Sequence, residues 1–88
     1  MFKIRRTSAR PLVLYLVSGR IDEEAASELQ RLFGQEPAGS SVALDLGEVR
    51  RVDAVAIEFL ARCEDSGIKI RNCPAYVREW IANSRRHG

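Results

Sequence analysis

The sequence has few of the side chains that enzymes use for proton transfer and metal binding. Its one histidine, His87, is the second-to-last residue, and its two cysteines, Cys63 and Cys73, occur in neither a CxxC nor a Cys/His spacing. Acid–base catalysis would have to depend on carboxylates, and no metal site is indicated. We expect both cysteines to be reduced thiols that pack as small apolar side chains.

Motifs for nucleotide, metal and acyl-transfer chemistry are also missing. The sequence contains no GxxxxGK[ST], GxGxxG, HExxH or GxSxG. We therefore predict a protein that is not an enzyme and has no cofactor. Two alternatives stay open: a hydrolase or isomerase that uses clustered aspartates, and a nucleotide-binding protein.

Long hydrophobic runs are absent as well. The longest apolar stretch, residues 11–17, is far shorter than the roughly 18 residues of a membrane-spanning helix. The first residues, MFKIRR, carry positive charge but are not followed by the apolar and small residues of a secretory signal. We expect a cytoplasmic protein without direct membrane insertion.

Length and composition predict one globular domain, residues 1–88. The 88 residues are too few for two domains, and the chain is 45% hydrophobic and 30% charged. The 14 basic and 12 acidic residues give a net charge of +2, with basic side chains gathered toward both ends. A nucleic-acid interface would need a denser basic stripe with aromatic residues, so we expect no nucleic-acid partner.

Four strands are indicated by short apolar runs. Phe2 and Ile4 alternate with polar residues, as in an edge strand, and residues 7–11 have the composition of a turn. Residues 12–17 are continuously apolar, which predicts a central strand covered on both faces. Residues 42–46 predict another buried strand, and residues 68–71 a short one.

Caps and apolar spacing predict three helices. The first begins after Asp22 and stops at Gly34, and the second begins after Asp53, both aspartates being good N-cap residues. The third opens beside Pro74. The second helix has an apolar stripe of Ala56, Ile57, Phe59, Leu60 and Cys63, and an outward face of Ala54, Glu58, Ala61, Arg62 and Asp65. In the third, Val77, Trp80 and Ile81 are predicted to face inward, with Tyr76 beside Trp80, and the chain to fray over residues 84–88.

The order strand, strand, helix, strand, helix, strand, helix predicts the fold class. It indicates an α/β protein with a mixed, mainly parallel four-stranded sheet, an N-terminal hairpin and three covering helices. Asp22, Asp45 and Asp53 are expected together at the carboxyl ends of the strands, where parallel sheets bind partners and ligands.

The order and spacing of several short motifs resemble the STAS domain, named after sulfate transporters and anti-sigma factor antagonists. The resemblance runs through residues 12–22, ALDLGEVRRVD at residues 43–53, the following helix, Gly67 with the next strand, and Asn72-Cys73-Pro74. It implies a bacterial regulatory module that binds a partner, for the antagonists an anti-sigma factor that is also a serine kinase.

The chain departs from the STAS pattern at the second helix. The family has Asp-Ser-Ser-Gly or Asp-Ser-x-Gly there, and phosphorylation of the later serine breaks the complex. Here the run is Asp53-Ala54-Val55-Ala56, so the resemblance places Val55 at the phosphoacceptor position. Valine has no hydroxyl to receive a phosphoryl group, so binding is expected to be independent of phosphorylation. Whether Val55 is an exposed contact or packs against the loop of Asp22 stays open.

The resemblance leaves two kinds of protein partner. The first is an anti-sigma factor or related kinase, and the second is a lipid-exporting ABC-type complex, in which small STAS proteins are cytoplasmic accessory subunits. A homodimer through the edge strand of residues 2–6 is also possible, although its basic side chains oppose it. The predicted partner-binding residues are Asp22, Asp53, Ala54, Val55, Glu58 and Arg62.

Overall fold

The computed structural model describes residues 1–87, which form four strands and three helices. Fraying was predicted to extend to Gly88, which lies outside the described residues. In chain order the elements are β1 (Phe2–Ala9), β2 (Leu12–Ile21), α1 (Glu23–Gly34), β3 (Ser41–Val52), α2 (Ala54–Asp65), β4 (Lys69–Arg71) and α3 (Ala75–His87).

The strands form one mixed sheet in the order β1-β2-β3-β4. β1 is antiparallel to β2, while β2, β3 and β4 are mutually parallel. The helices α1 and α2 connect successive parallel strands, as a parallel pair requires. This architecture confirms the predicted α/β fold with an N-terminal hairpin, a four-stranded mixed sheet and three helices.

The N-terminal hairpin is longer than predicted. β1 continues through residues 7–9, which were expected to be part of a turn, and Ala9 pairs with Leu12. The turn consists of Arg10 and Pro11 alone. Polar residues in an exposed edge strand resemble a turn in composition, which explains the difference.

β3 is also much longer than the predicted strand of residues 42–46. It runs on to Val52 and stays paired with β2, through register shifts near Leu16 and Gly19. These irregularities let the two strands end together, with Ile21 opposite Val52.

The helices cover one face of the sheet. Val13, Tyr15 and Val17 point toward them and are buried, whereas Leu12, Leu14 and Leu16 point the other way and lie outside the core cluster. The expectation that residues 12–17 are covered on both faces is therefore wrong. A continuously apolar run does not by itself show whether a second layer covers it.

α2 occupies the centre of the helical layer. Its predicted apolar stripe is buried, but so is Ala61, which was predicted to face outward. α3 covers this residue, since Arg85 Nη2 donates to the Ala61 carbonyl at 3.2 Å.

α3 packs through Val77 and Ile81, both fully buried as predicted. Trp80 is 48% exposed and does not face inward as expected, although it makes the predicted contact with Tyr76, their ring centroids 6.0 Å apart. Residues 84–87 continue the helix, where fraying was predicted.

Candidate functional site at the carboxyl ends of β2 and β3

Two of the predicted site residues meet where β2 and β3 end. Asp22 follows Ile21, the last residue of β2, and Asp53 follows Val52, the last residue of β3. The Asp53 amide donates to the Ile21 carbonyl at 3.0 Å, which holds the two chain segments together. The carboxyl ends of parallel strands are a usual location for binding sites.

Asp22 caps α1 as predicted. Its Oδ1 accepts a hydrogen bond from the Ala25 amide at 2.9 Å. This bond, more than any other contact, lowers the pKa of the Asp22 carboxyl, and the positive charge of Arg20 acts in the same direction. Asp22 is therefore an ionised, structurally engaged residue at the edge of the site.

Asp53 occupies the N-cap position of α2 but makes no side-chain capping bond. Its Oδ2 instead accepts a hydrogen bond from Arg20 Nη2 at 3.0 Å. The predicted N-cap position of Asp53 is confirmed, but its carboxylate forms a charge-assisted bond with a neighbouring guanidinium and no capping bond.

Arg20, which the sequence did not single out as a site residue, forms an ion pair with Asp53 and is also influenced by the charge of Asp22. The hydrogen bond to Asp53 is the main cause of its raised pKa, and the negative charge of Asp22 adds to it. The three side chains form an ion cluster at the surface, with Arg20 47% and Asp53 33% exposed. Only the pairing of β2 with β3 brings Arg20 and Asp53 together, so no local pattern identifies it.

The first turn of α2 presents an exposed aliphatic side chain beside this cluster. Val55 is 50% exposed, and Ala54 is exposed too. Of the two alternatives for Val55, exposed contact or packing within the loop, the structure supports the exposed one. A single exposed valine is common on protein surfaces, so the exposure of Val55 indicates a binding contact only together with the residues around it.

Glu58 and Arg62 continue the surface along α2. They follow Val55 by three and seven residues, a spacing that places all three on one side of the helix. Both are exposed, and neither forms a salt bridge with any side chain of residues 1–86. Beside them a groove separates α2 from α3, and Arg85 and Asp65 face each other across it at 2.6 Å.

Asp45 lies apart from the other two aspartates. It falls within β3 and pairs with Leu16 and Arg71, seven residues before the strand ends. Its carboxylate accepts hydrogen bonds from the Gly47 amide at 2.8 Å and from Asn72 Nδ2 at 2.9 Å. The expectation that all three aspartates gather at one end of the sheet is therefore wrong for Asp45.

Three further features concern metal binding, membrane insertion and thiol chemistry. Among the side chains of residues 1–86, no three His, Cys, Asp or Glu residues are grouped as a metal ion would require. No helix of the described residues has the length and hydrophobicity to cross a membrane. Cys63 is buried, and burial raises the pKa of its thiol to about 12.

Comparisons with known proteins bear on the fold. The sequence matches no protein-family model and no curated protein sequence. The structure is similar to that of an anti-sigma factor antagonist from Mycobacterium paratuberculosis, with a TM-score of 0.71 and 21% identity over 99% of this chain and 81% of that one. It is also similar to the structure of Mglu, with a TM-score of 0.65 and 19% identity over 81% of this chain, which corresponds to only 19% of Mglu. The chain therefore has the fold of an anti-sigma factor antagonist.

Proposed function

We propose that the protein is a non-enzymatic regulatory module that acts by binding another protein. Its contact surface, called here the docking face, consists of Asp22, Asp53, Ala54, Val55, Glu58 and Arg62. The starting point is the similarity of the fold to that of an anti-sigma factor antagonist, and the proposal adds a role to this similarity. A fold alone does not determine function, so the properties of the docking face must support it.

The observation that carries the proposal is the exposure of Val55 between charged residues. These charged residues differ in whether they have a salt-bridge partner. On one side Asp53 is already neutralised by Arg20. On the other, Glu58 and Arg62 are exposed and have no salt-bridge partner among the side chains of residues 1–86. An apolar contact next to free charges of both signs is a combination that gives a protein interface affinity and orientation.

The binding is proposed to be independent of phosphorylation at this turn. In the STAS pattern, the position of Val55 holds the serine whose phosphorylation releases the partner. A phosphoserine beside Asp53 would act through charge repulsion, and valine removes that switch while keeping an apolar contact. The complex would then be regulated by the amount or state of the partner.

Two partners remain compatible with the docking face. An anti-sigma factor or related kinase is the first, and the ATPase or permease of an ABC-type lipid transport complex is the second. The identity of the captured protein distinguishes them, and a neighbouring gene for either kind of partner gives an independent answer.

The proposal is tested by affinity capture from the cells that produce the protein, with quantitative mass spectrometry. Two variants disrupt the docking face: Val55→Asp, and the charge reversal Glu58→Lys with Arg62→Glu. We expect both to lower the amount of one specific partner about tenfold or more, as for central interface residues.

Two exposed residues of α3 provide matched controls. Ala82→Asp places the same new charge on a small exposed side chain, and Glu79→Lys reverses a free surface charge. Both controls should capture the partner as the wild type does. Equal recovery by the docking-face variants, or equal loss in the controls, would show that the partner binds elsewhere.

A further inference from the structure

The sheet face opposite the helices carries an apolar stripe. Leu12, Leu14 and Leu16 point to this side, and none belongs to the core or packs against it. Leu12 is 60% exposed, and the other two are half-buried. Three neighbouring leucines on the uncovered face of a central strand lower the solubility of a protein unless a binding partner covers them.

Basic residues border this stripe on both sides. Residues paired across neighbouring strands point to the same face. One row therefore contains Arg5, Leu16, Asp45 and Arg71, and the next contains Thr7, Leu14, Ala43 and Lys69. Lys3 lies on the same side of β1 as Arg5. The open face is defined here as Lys3, Arg5, Leu12, Leu14, Leu16, Ala43, Lys69 and Arg71.

The four basic side chains of the open face have no ionic partner within the described chain. No salt bridge between the side chains of residues 1–86 involves Lys3, Arg5, Lys69 or Arg71. On β1, by contrast, Arg6 points to the helical side and binds Glu36 at 2.8 Å. These four positive charges without a salt-bridge partner therefore lie on the uncovered side of the sheet.

Two acidic residues also have register positions on this side, both toward one end. Asp45 is opposite Leu16, and Glu48 is opposite Ser18. The Asp45 carboxylate is engaged by hydrogen bonds from the Gly47 amide and Asn72. Lys3 pairs with Ser18 and so shares a row with Glu48, beyond the last leucine. The stripe itself is bordered by Arg5 on β1 and by Lys69 and Arg71 on β4.

The dimensions of the open face match one α-helix. Four strands about 4.8 Å apart place the basic borders on β1 and β4 about 14 Å from each other. A helix with its side chains is about 10–12 Å wide and fits between them. The leucine stripe is about 13 Å long, which corresponds to about nine residues of a helix.

We propose that the open face binds an amphipathic helix of a partner protein that has an apolar stripe bordered by acidic residues. The leucines take the apolar side, and the basic borders pair with the acidic residues. This site is separate from the docking face and does not depend on the function proposed above.

Charge and shape favour this occupant over three others. A second copy would bring the same four basic residues against these, which opposes self-association. Single-stranded nucleic acid stacks on aromatic rings, and the paired residues of this face include none. A membrane surface requires protruding apolar side chains, whereas Leu14 and Leu16 are half-buried between the strands.

The test uses a labelled synthetic helix of about 18 residues, roughly five turns, with leucines on one side and glutamates along both borders. The comparison peptide keeps the leucines and replaces every glutamate by lysine. Fluorescence anisotropy measures binding, and amide chemical shifts locate it. We expect the acidic peptide to bind, the basic peptide to bind at least about tenfold more weakly, and added salt to weaken the binding.

Four variants connect the binding to the open face. Leu12→Ser and Leu14→Ser should each weaken the binding of the acidic peptide about tenfold, since each removes one apolar contact. Arg5→Glu with Lys69→Glu should abolish the preference for the acidic peptide. Trp80→Ser, which removes an exposed apolar side chain of α3 outside both surfaces, should leave the peptide binding unchanged. Leu12 is mostly exposed, so its variant remains informative if Leu14→Ser is unstable.

Three results would overturn the proposal. Equal binding of both peptides, or amide chemical-shift changes confined to α2, would show that the open face does not bind an acidic helix. Binding of phosphatidylglycerol vesicles that requires Leu12 and Arg5, without peptide binding, would assign the face to a membrane. Dimerisation in sedimentation experiments that Leu14→Ser prevents would assign it to a second copy.

Discussion

Arg20 and Asp53, 33 positions apart in the sequence, join the end of β2 to the start of α2 through a hydrogen bond of 3.0 Å. This contact engages the Asp53 carboxylate, which makes no helix-capping bond. Val55, two residues later, is the first large side chain of α2 and is exposed to solvent.

The Arg20–Asp53 ion pair is expected to contribute little to stability. Both side chains are partly exposed, and solvent screens such pairs. Arg20→Gln should lower the melting temperature by no more than about 3 °C. Arg31→Gln, which removes the exposed ion pair with Glu28, is the matched control and should behave similarly. A much larger loss for Arg20→Gln, measured by thermal unfolding, would show that the pair is part of the core structure.

The two N-cap aspartates should differ in their effect on stability. Asp22 accepts a capping hydrogen bond from Ala25, whereas Asp53 makes none. Asp22→Ala should lower the melting temperature by about 5 °C, and Asp53→Ala by clearly less. Asp22→Asn keeps a capping acceptor and should retain most of the stability. An equal or greater loss in Asp53→Ala would contradict the assignment.

Acid should weaken the contact that ties β1 to the loop after α1. Hydrogen bonds from Arg6 and from Tyr15 lower the pKa of Glu36 from its ordinary 4.5 to about 2. The stability from this carboxylate is complete above pH 4.5 and is lost as the pH falls toward 2, because the unfolded chain takes up the proton first.

Glu36→Gln isolates this contribution. The wild type should exceed the variant in free energy of unfolding by a constant amount above about pH 5, and this difference should shrink between pH 4.5 and pH 2. Urea unfolding at a series of pH values measures it. A difference that does not change with pH would show that Glu36 has an ordinary pKa.

Ala61 lies at the contact between α2 and α3, beside the groove that separates the two helices. It is only 9% exposed, and Arg85 binds its carbonyl. Ala61→Leu should destabilise the protein by about 1–3 kcal/mol, because the added carbons must displace Arg85 from its contacts with Ala61 and Asp65. Ala82→Leu makes the same change at an exposed position of α3 and should be nearly neutral in urea unfolding. If Ala61→Leu is equally neutral, this surface of α2 is open to solvent.

The order of helices and strands could be predicted from the sequence because each element has a strong local pattern. The cap at Asp22 and the apolar spacing of α1 and α2 are local features, and both are present in the structure. The far half of β3 has no such pattern. Its residues 47–51 are mostly polar or glycine, and they remain in a strand because β2 pairs with them.

The candidate site was predictable in its location but not in its contacts. Asp22, Asp53 and Val55 follow from the positions of the strand ends and of α2. Arg20 could not be assigned, because its partner depends on the register of β2 against β3, including two irregular steps. The open face was missed for a related reason: residues 12–17 of β2 are apolar on both faces of the strand, so the sequence does not distinguish the covered side from the uncovered one.

The most direct test of the docking face is a calorimetric titration of the captured, purified partner into the wild type, Val55→Asp and Ala82→Asp. We expect Val55→Asp to weaken binding about tenfold or more, because it places an unpaired charge in an apolar contact, while Ala82→Asp binds like the wild type. Unchanged affinity in Val55→Asp, with the fold verified by its melting temperature, would contradict the central claim that the partner binds at the first turn of α2.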